Sequence, residues 1–203
     1  MEQEKIKLTT EQENAIIETI LKYVDENSYK LPGYNQLFGF KKAEFAKLKI
    51  TQPQIKNFYA KSSGAYARLR EIKDRFGRQE IRESFKDFSL FYKWFIKQLA
   101  SQDGKCYYCK TSKGNLERLF RSKGESKEVQ ESKVLYSTKP AFSSSFHIDR
   151  KAPKGDYGDN NCVLACTFCN NAKSDMVKDA EVFKNSFGKT IHEFYKKLLE
   201  KIN

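Results

Sequence analysis

Two Cys-x-x-Cys pairs, Cys106 with Cys109 and Cys166 with Cys169, offer four soft sulfur ligands. Four thiolates suit tetrahedral Zn²⁺, and a zinc with four cysteine ligands has no open position, so it folds a chain rather than catalyses. A compact zinc ribbon leaves about 15–20 residues between its pairs. Here the second pair comes far later, so the ion would clamp a substantial segment. Cys162, the fifth cysteine, reads as a small buried side chain. All five lie in the second half of the chain, and in a reducing compartment such clustering points to metal rather than disulfides.

The clamped stretch holds a second set of chemical groups, "HIDRKAPKGDYGDNNCVLACTFCNNAKSD", from His147 to Asp175. "AFSSSFHI" has strand character, "KAPKGDYGDNN" is a turn-rich loop, "CVLA" is a short strand or a helix entry, and "TFCNNAKSDMVKDAEVF" reads as a helix. Side chains alternate along a strand, so His147 and Asp149 share a face. A histidine can take a proton from water and a carboxylate can hold a divalent cation. Arg150 stays protonated; it can clamp phosphate but cannot act as a base. On the following helix Asn170 shares a face with Lys173 and with Ser174.

Cys-x-x-Cys, then "IDRKAPKGDYGDNNCVLAC", then "CNNAKSD" resembles the HNH endonucleases of the ββα-metal class over roughly residues 103–180, and "FYKWFIKQ" upstream is similar to members of this group. The resemblance implies a DNA endonuclease with a histidine general base and one catalytic divalent ion, Mg²⁺ or Mn²⁺, beside the structural zinc. It implies Asn161, with Asn160 as its competitor, as the asparagine that holds the loop or the metal, and Asp149 as a ligand of the catalytic ion. On the helix face Asn170 is a candidate last metal or phosphate ligand and Lys173 a candidate phosphate contact; helix capping and a solvated polar surface are the alternative for both. A restriction or phage-defence nuclease is the biological role it favours, with a mobile-element nuclease close behind. This sequence departs from the pattern at one place. The family has an acidic residue followed by histidine, and here Arg150 follows Asp149. Three resolutions stand open: His147 is the base, with Asp149 holding the ion and Arg150 clamping phosphate; Asp149 or another group does the base work and His147 only positions; or catalysis is lost and a zinc-stapled nucleic-acid-binding module remains.

These groups need elements to position them. "TTEQENAIIETILKYV" is a helix with Thr9 or Thr10 as cap; "LPGYNQLFGF" is a loop; "KKAEFAKLKI" is a short amphipathic helix. Two helices are expected in "TQPQIKNFYAKSSGAYARLREIKDRFG", broken near Ser62-Ser63-Gly64. "SFKDFSLFYKWFIKQLA" is a helix capped by Ser84 with an apolar stripe along Phe85, Phe88, Phe91, Tyr92, Phe95 and Leu99. The Ser-, Lys- and Glu-rich tract from Arg121 to Ser145 reads as an exposed insertion, and the C-terminus is helical with a break at Gly188 and a structural His192. The expected fold is therefore α+β and mostly helical: a helical region over residues 1–100, the ββα-metal core over 101–180 and a C-terminal helix over 181–203.

The formal net charge of +12 favours a polyanionic partner, and nucleic acid leads. Arg68, Arg75, Arg78 and Arg82 are candidate contacts to double-stranded DNA, with the last three expected on one helical stripe. A solvated face laced with Glu71, Asp74, Glu80 and Glu83 is the alternative. No apolar run is long enough to span a membrane and the start lacks an apolar signal core, so a cytoplasmic location is expected. A homodimer is expected only if the protein cuts palindromic sites.

Overall fold

The computed structural model describes residues 7–60, 64–121 and 144–201. The chain is mostly helical, with one two-stranded antiparallel sheet among the described residues. It divides into two compact units, Met1–Lys93 and Trp94–Asn203.

The first unit is built from helices α1 (Thr10–Glu26), α2 (Tyr34–Phe40), α3 (Lys42–Lys47), α4 (Gln52–Ala60), α5 (Ala65–Phe76), α6 (Gln79–Phe85) and the start of α7 (Phe88–Ser101). Thr9 opens α1 with a capping box: its hydroxyl accepts from Gln12 N at 3.2 Å, and Gln12 Oε1 accepts from Thr9 N at 3.0 Å. Ile16, Ile20, Leu21 and Val24 form the buried stripe of α1, and Leu69, Ile72 and Phe76 that of α5. Phe76 meets Phe88 and Phe91 of α7, each with ring centroids 5.5 Å away. This is one aromatic and aliphatic core of the kind that 3.6-residue periodicity encodes.

Three sequence expectations change here. "YNQLFGF", read as loop, is helix α2: Gln36 Oε1 accepts from Gly33 N at 2.8 Å, and Leu37 is the buried anchor. The helix expected from Ser84 is two helices, because Lys86 has a φ of 62° and ends α6. Helix α7 therefore starts at Phe88, and its first amides are satisfied from a distance: Asp25 Oδ1 accepts from Phe88 N at 2.7 Å and Oδ2 from Ser89 N at 3.3 Å. Finally, Arg75, Arg78 and Arg82 do not lie on one helical stripe. Arg75 is in α5, Arg78 caps α6, Arg82 lies within α6, and Gly77 closes α5 between them. The Arg82 guanidinium donates to Gly77 O and Arg78 pairs with Glu80 at 4.0 Å, while Arg68 is exposed.

The second unit carries α8 (Lys113–Arg121), β1 (His147–Arg150), β2 (Cys162–Ala165), α9 (Thr167–Lys173), α10 (Ala180–Phe183), a π-helical turn (Lys184–Gly188) and α11 (Lys189–Lys201). β1 and β2 pair with His147 opposite Ala165 and Arg150 opposite Cys162. "CVLA" is thus a strand, buried throughout. Its other edge is closed by the side chain of Gln102, whose Oε1 accepts from Leu164 N at 3.0 Å while Nε2 donates to Leu164 O at 2.8 Å. The long helix read from Thr167 onward is interrupted, because Ser174 turns out of helical geometry at φ 50°. Gly188 is not a helix break. It is buried where a Cβ would lie 2.8 Å from Tyr108 O, so the π-helical turn needs glycine to approach the backbone this closely. The tract read as an exposed insertion lies almost wholly outside the described residues, as do Ser62 and Ser63. No helix among the described residues is long and apolar enough to cross a membrane.

The Asp25 contact to α7 spans two distant parts of the sequence, and it has a measurable weight. Asp25→Ala should lower stability by about 1 kcal/mol, the usual cost of losing a helix N-terminal acceptor. A fall in the urea midpoint with unchanged zinc content would show it; an unchanged midpoint would remove the cap as a contributor.

Candidate metal centre and the strand it holds

Cys106, Cys109, Cys166 and Cys169 are all buried, and their sulfur atoms lie within 4.8 Å of one another. The first pair stands on a tight turn: Lys110 N donates to Cys106 O at 3.0 Å and Cys106 N to Thr111 O at 3.0 Å. The second pair opens α9. Cys166 is its N-cap, and its sulfur accepts from Cys169 N at 3.4 Å. Tyr107 N donates to Leu164 O at 2.9 Å, which fastens the first turn to β2. The donor set, its burial and its spacing fit a tetrahedral ion of the zinc type.

Electrostatics favour the same ion. Burial opposes ionisation of Cys106, yet hydrogen bonds from Cys109, Cys166 and Cys169 hold its thiol well below the usual range. Cys166 and Cys169 are pushed up, led by their contact with Cys106. Several sulfur charges crowded into one buried site repel one another, and a dication relieves that conflict. Groups around the sulfurs are placed as supports. Cys166 N donates to Cys106 Sγ at 3.2 Å, Thr111 Oγ1 is 3.3 Å from Cys109 Sγ, and Tyr195 OH is 3.7 Å from Cys166 Sγ. His192, read from the sequence as structural, donates from Nδ1 to Cys109 O at 2.7 Å. Cys162 is buried in β2 and belongs to no cluster of metal-binding groups among the described residues.

Beside this cluster, His147 and Asp149 point from the same side of β1 toward α9. His147 is half-buried, and its Nε2 lies 3.0 Å from Thr167 Oγ1. Asp149 is buried; Tyr108 OH donates to its Oδ2, and Lys173 Nζ lies 3.2 Å from the same oxygen. Oδ1 accepts no hydrogen bond among the described residues. Burial pushes the Asp149 carboxyl up, while Tyr108 and Lys173 oppose the shift. Removing one partner of such a buried pair typically costs about 3–5 kcal/mol, because the other charge is left uncompensated. Arg150 is half-buried. Its guanidinium donates to Gly155 O at 3.3 Å, pairs with Asp175 at 3.2 Å and stacks over Tyr157 at 4.8 Å.

Asn161 is a loop staple. Its Oδ1 accepts from Ala152 N at 2.9 Å, and its Nδ2 donates to Ala152 O at 3.1 Å and Asp156 O at 2.9 Å. Gly155 makes room for it, since a Cβ there would lie 2.6 Å from Nδ2. Both ends of the amide are thus used in holding loop 151–161. Asn170 sits half-buried on α9 one turn before Lys173, and its side chain makes no hydrogen bond among the described residues. Lys173, a candidate phosphate contact from the sequence, has a fully buried side chain whose ammonium has oxygen partners inside, so the alternative of a solvated polar position does not hold for it. An open groove next to loop 151–161 is rich in acid, with Asp156, Asp159, Asp179 and Glu181, and excludes His147 and Asp149.

Four residues beyond those expected from the sequence serve the site: Tyr108, Thr167, Tyr195 and Gln102. Tyr108 carried a signal, since it lies between two cysteines of one pair; the others act across long sequence separations.

Purified protein should contain about one zinc per chain. Cys106→Ser should lose it and unfold the second unit. Tyr195→Phe should keep the ion but weaken affinity by about tenfold, as for an outer-shell partner. A chelator competition assay reads both, and full-length protein with no bound zinc would overturn the four-thiolate site. In comparisons with known proteins, the chain matches no family model, no curated protein and no solved structure.

Proposed function

We propose that residues 94–203 form a metal-dependent nuclease centre of the ββα type, which hydrolyses phosphodiester bonds of double-stranded DNA. The observation that carries this reading is the antiparallel pair β1 and β2 followed by α9, stapled by four cysteines, with His147 and Asp149 on the side of the strand that meets α9. His147 is the general base: it is half-exposed on a strand and steadied at Nε2 by Thr167. Arg150 offers a fixed cation for phosphate, held by Asp175 and Tyr157. Asn161 keeps the intervening loop in shape. Asp149, through Oδ1, and Asn170 are the residues that would hold Mg²⁺ or Mn²⁺, which would act as a Lewis acid at the phosphate. The net charge of +12 and the arginines of the first unit, Arg68, Arg75, Arg78 and Arg82, supply attraction for the duplex. A restriction or phage-defence role, in the cytoplasm, is the biological setting we favour.

A second reading has its own support. Arg150 stands where the HNH pattern has histidine, and Lys173 already neutralises Asp149. Both fit a zinc-stapled module that binds nucleic acid without cutting it.

Plasmid or phage DNA incubated with the full chain and Mg²⁺ or Mn²⁺ separates the two. Cutting is expected from the wild type, with His147→Ala slower by about 100-fold or more. Equal cutting by both would remove His147 as base. Binding without cutting under any divalent ion would establish the module.

A further inference from the structure

Lys173 and Asp149 are the two charged side chains that are buried among the described residues. The Lys173 ammonium is ringed by oxygens: Arg150 O at 2.7 Å, Asp149 Oδ2 at 3.2 Å and Ser174 O at 3.5 Å. An ammonium has three donors and no acceptor, so three oxygens can use all of it. This is a cation-binding arrangement in which the cation is part of the chain. Its position also ties the C-terminal end of α9 to β1, the two elements between which a substrate phosphate would be worked on.

We propose that the Lys173 ammonium is the resident cation of Asp149, and that it excludes a divalent ion from that carboxylate until a phosphate brings further negative charge. The charges nearby are already matched. Asp149 is paired with Lys173, and Arg150 with Asp175. A dication arriving at Asp149 meets a carboxylate with no net charge to offer and an ammonium beside it. At separations of about 4 Å this opposition is enough to change affinity by roughly tenfold or more. A phosphodiester supplies the missing negative charge and further oxygen ligands, so ion and nucleic acid bind together rather than in sequence. The second part rests on the nuclease reading; the exclusion of the ion does not.

Mn²⁺ binding to the zinc-loaded full chain, followed by electron paramagnetic resonance, tests the proposal without measuring cleavage. Without DNA, wild type, Lys173→Arg and Asp149→Asn should bind Mn²⁺ alike. Lys173→Met should gain one site at least about tenfold tighter, and the Lys173→Met/Asp149→Asn double variant should lose it. With a short DNA duplex, corrected for Mn²⁺ held by the duplex itself, wild type should take up an ion that Asp149→Asn does not. A wild-type site that Asp149→Asn abolishes in the absence of DNA would overturn the proposal, as would a Lys173→Met protein with full zinc content and no new site. Should Lys173→Met not fold, the wild-type and Asp149→Asn comparison, with and without duplex, still decides. A protein that cuts no plasmid refutes the nuclease reading but leaves the DNA-free comparison intact.

Discussion

Four sulfur atoms share a space within 4.8 Å where as thiolates they would repel one another, and the second unit is organised around making that tolerable. The two turns that carry them come from distant parts of the chain. An ion that joined them would close the chain between Cys106 and Cys169 into a loop, so its binding free energy would also be folding free energy. Each further contact follows from that closure. Tyr107 is fastened to β2, Cys166 starts α9, and His192 and Tyr195 bring α11 against the sulfurs. With β2 and α9 fixed at their junction, β1 has one place to pair, and its side chains meet α9 in a set register.

That register has an electrostatic cost at its centre. A carboxylate and an ammonium are buried together on the face where the hydrolytic groups would stand. Well-packed apolar side chains would often be as stable as such a pair. Retaining it makes sense if the carboxylate is needed for chemistry and the ammonium keeps it in one place until then. Tyr108 adds to this hold from the cysteine turn itself. The four-cysteine cluster and β1 are therefore one hydrogen bond apart in connectivity, through Tyr108, which is flanked by Cys109.

Much of this was legible in the chain. The cysteine pairs stand out because metal geometry fixes residue type and spacing, and β1 faces as alternation requires. The helices α1, α5 and α7 announce themselves through apolar periodicity. Several of the failures depend on a partner far away in sequence. Asp25 satisfies α7 from another helix, so Ser84 was an equally good candidate cap on local grounds. Gly188 looked like a helix breaker until Tyr108 O lay against it. Lysines are almost never fully buried unless paired, and the burial of Lys173 depends on the oxygens of β1. Arg75, Arg78 and Arg82 have helical spacing in sequence, but the turn at Gly77 divides them.

One side chain has a consequence at the scale of many molecules. A two-stranded sheet presents two rows of unpaired backbone groups, each a template for another chain to add a strand. Along β2 that invitation is withdrawn by Gln102, whose amide imitates a peptide group and occupies both the donor and the acceptor of Leu164. Gln102, just after α7, and the Tyr107 amide, which also donates to Leu164 O, together stand where a third strand would pair. They guard this two-stranded sheet against runaway association, at the edge where a pair of strands this short has no length to spare.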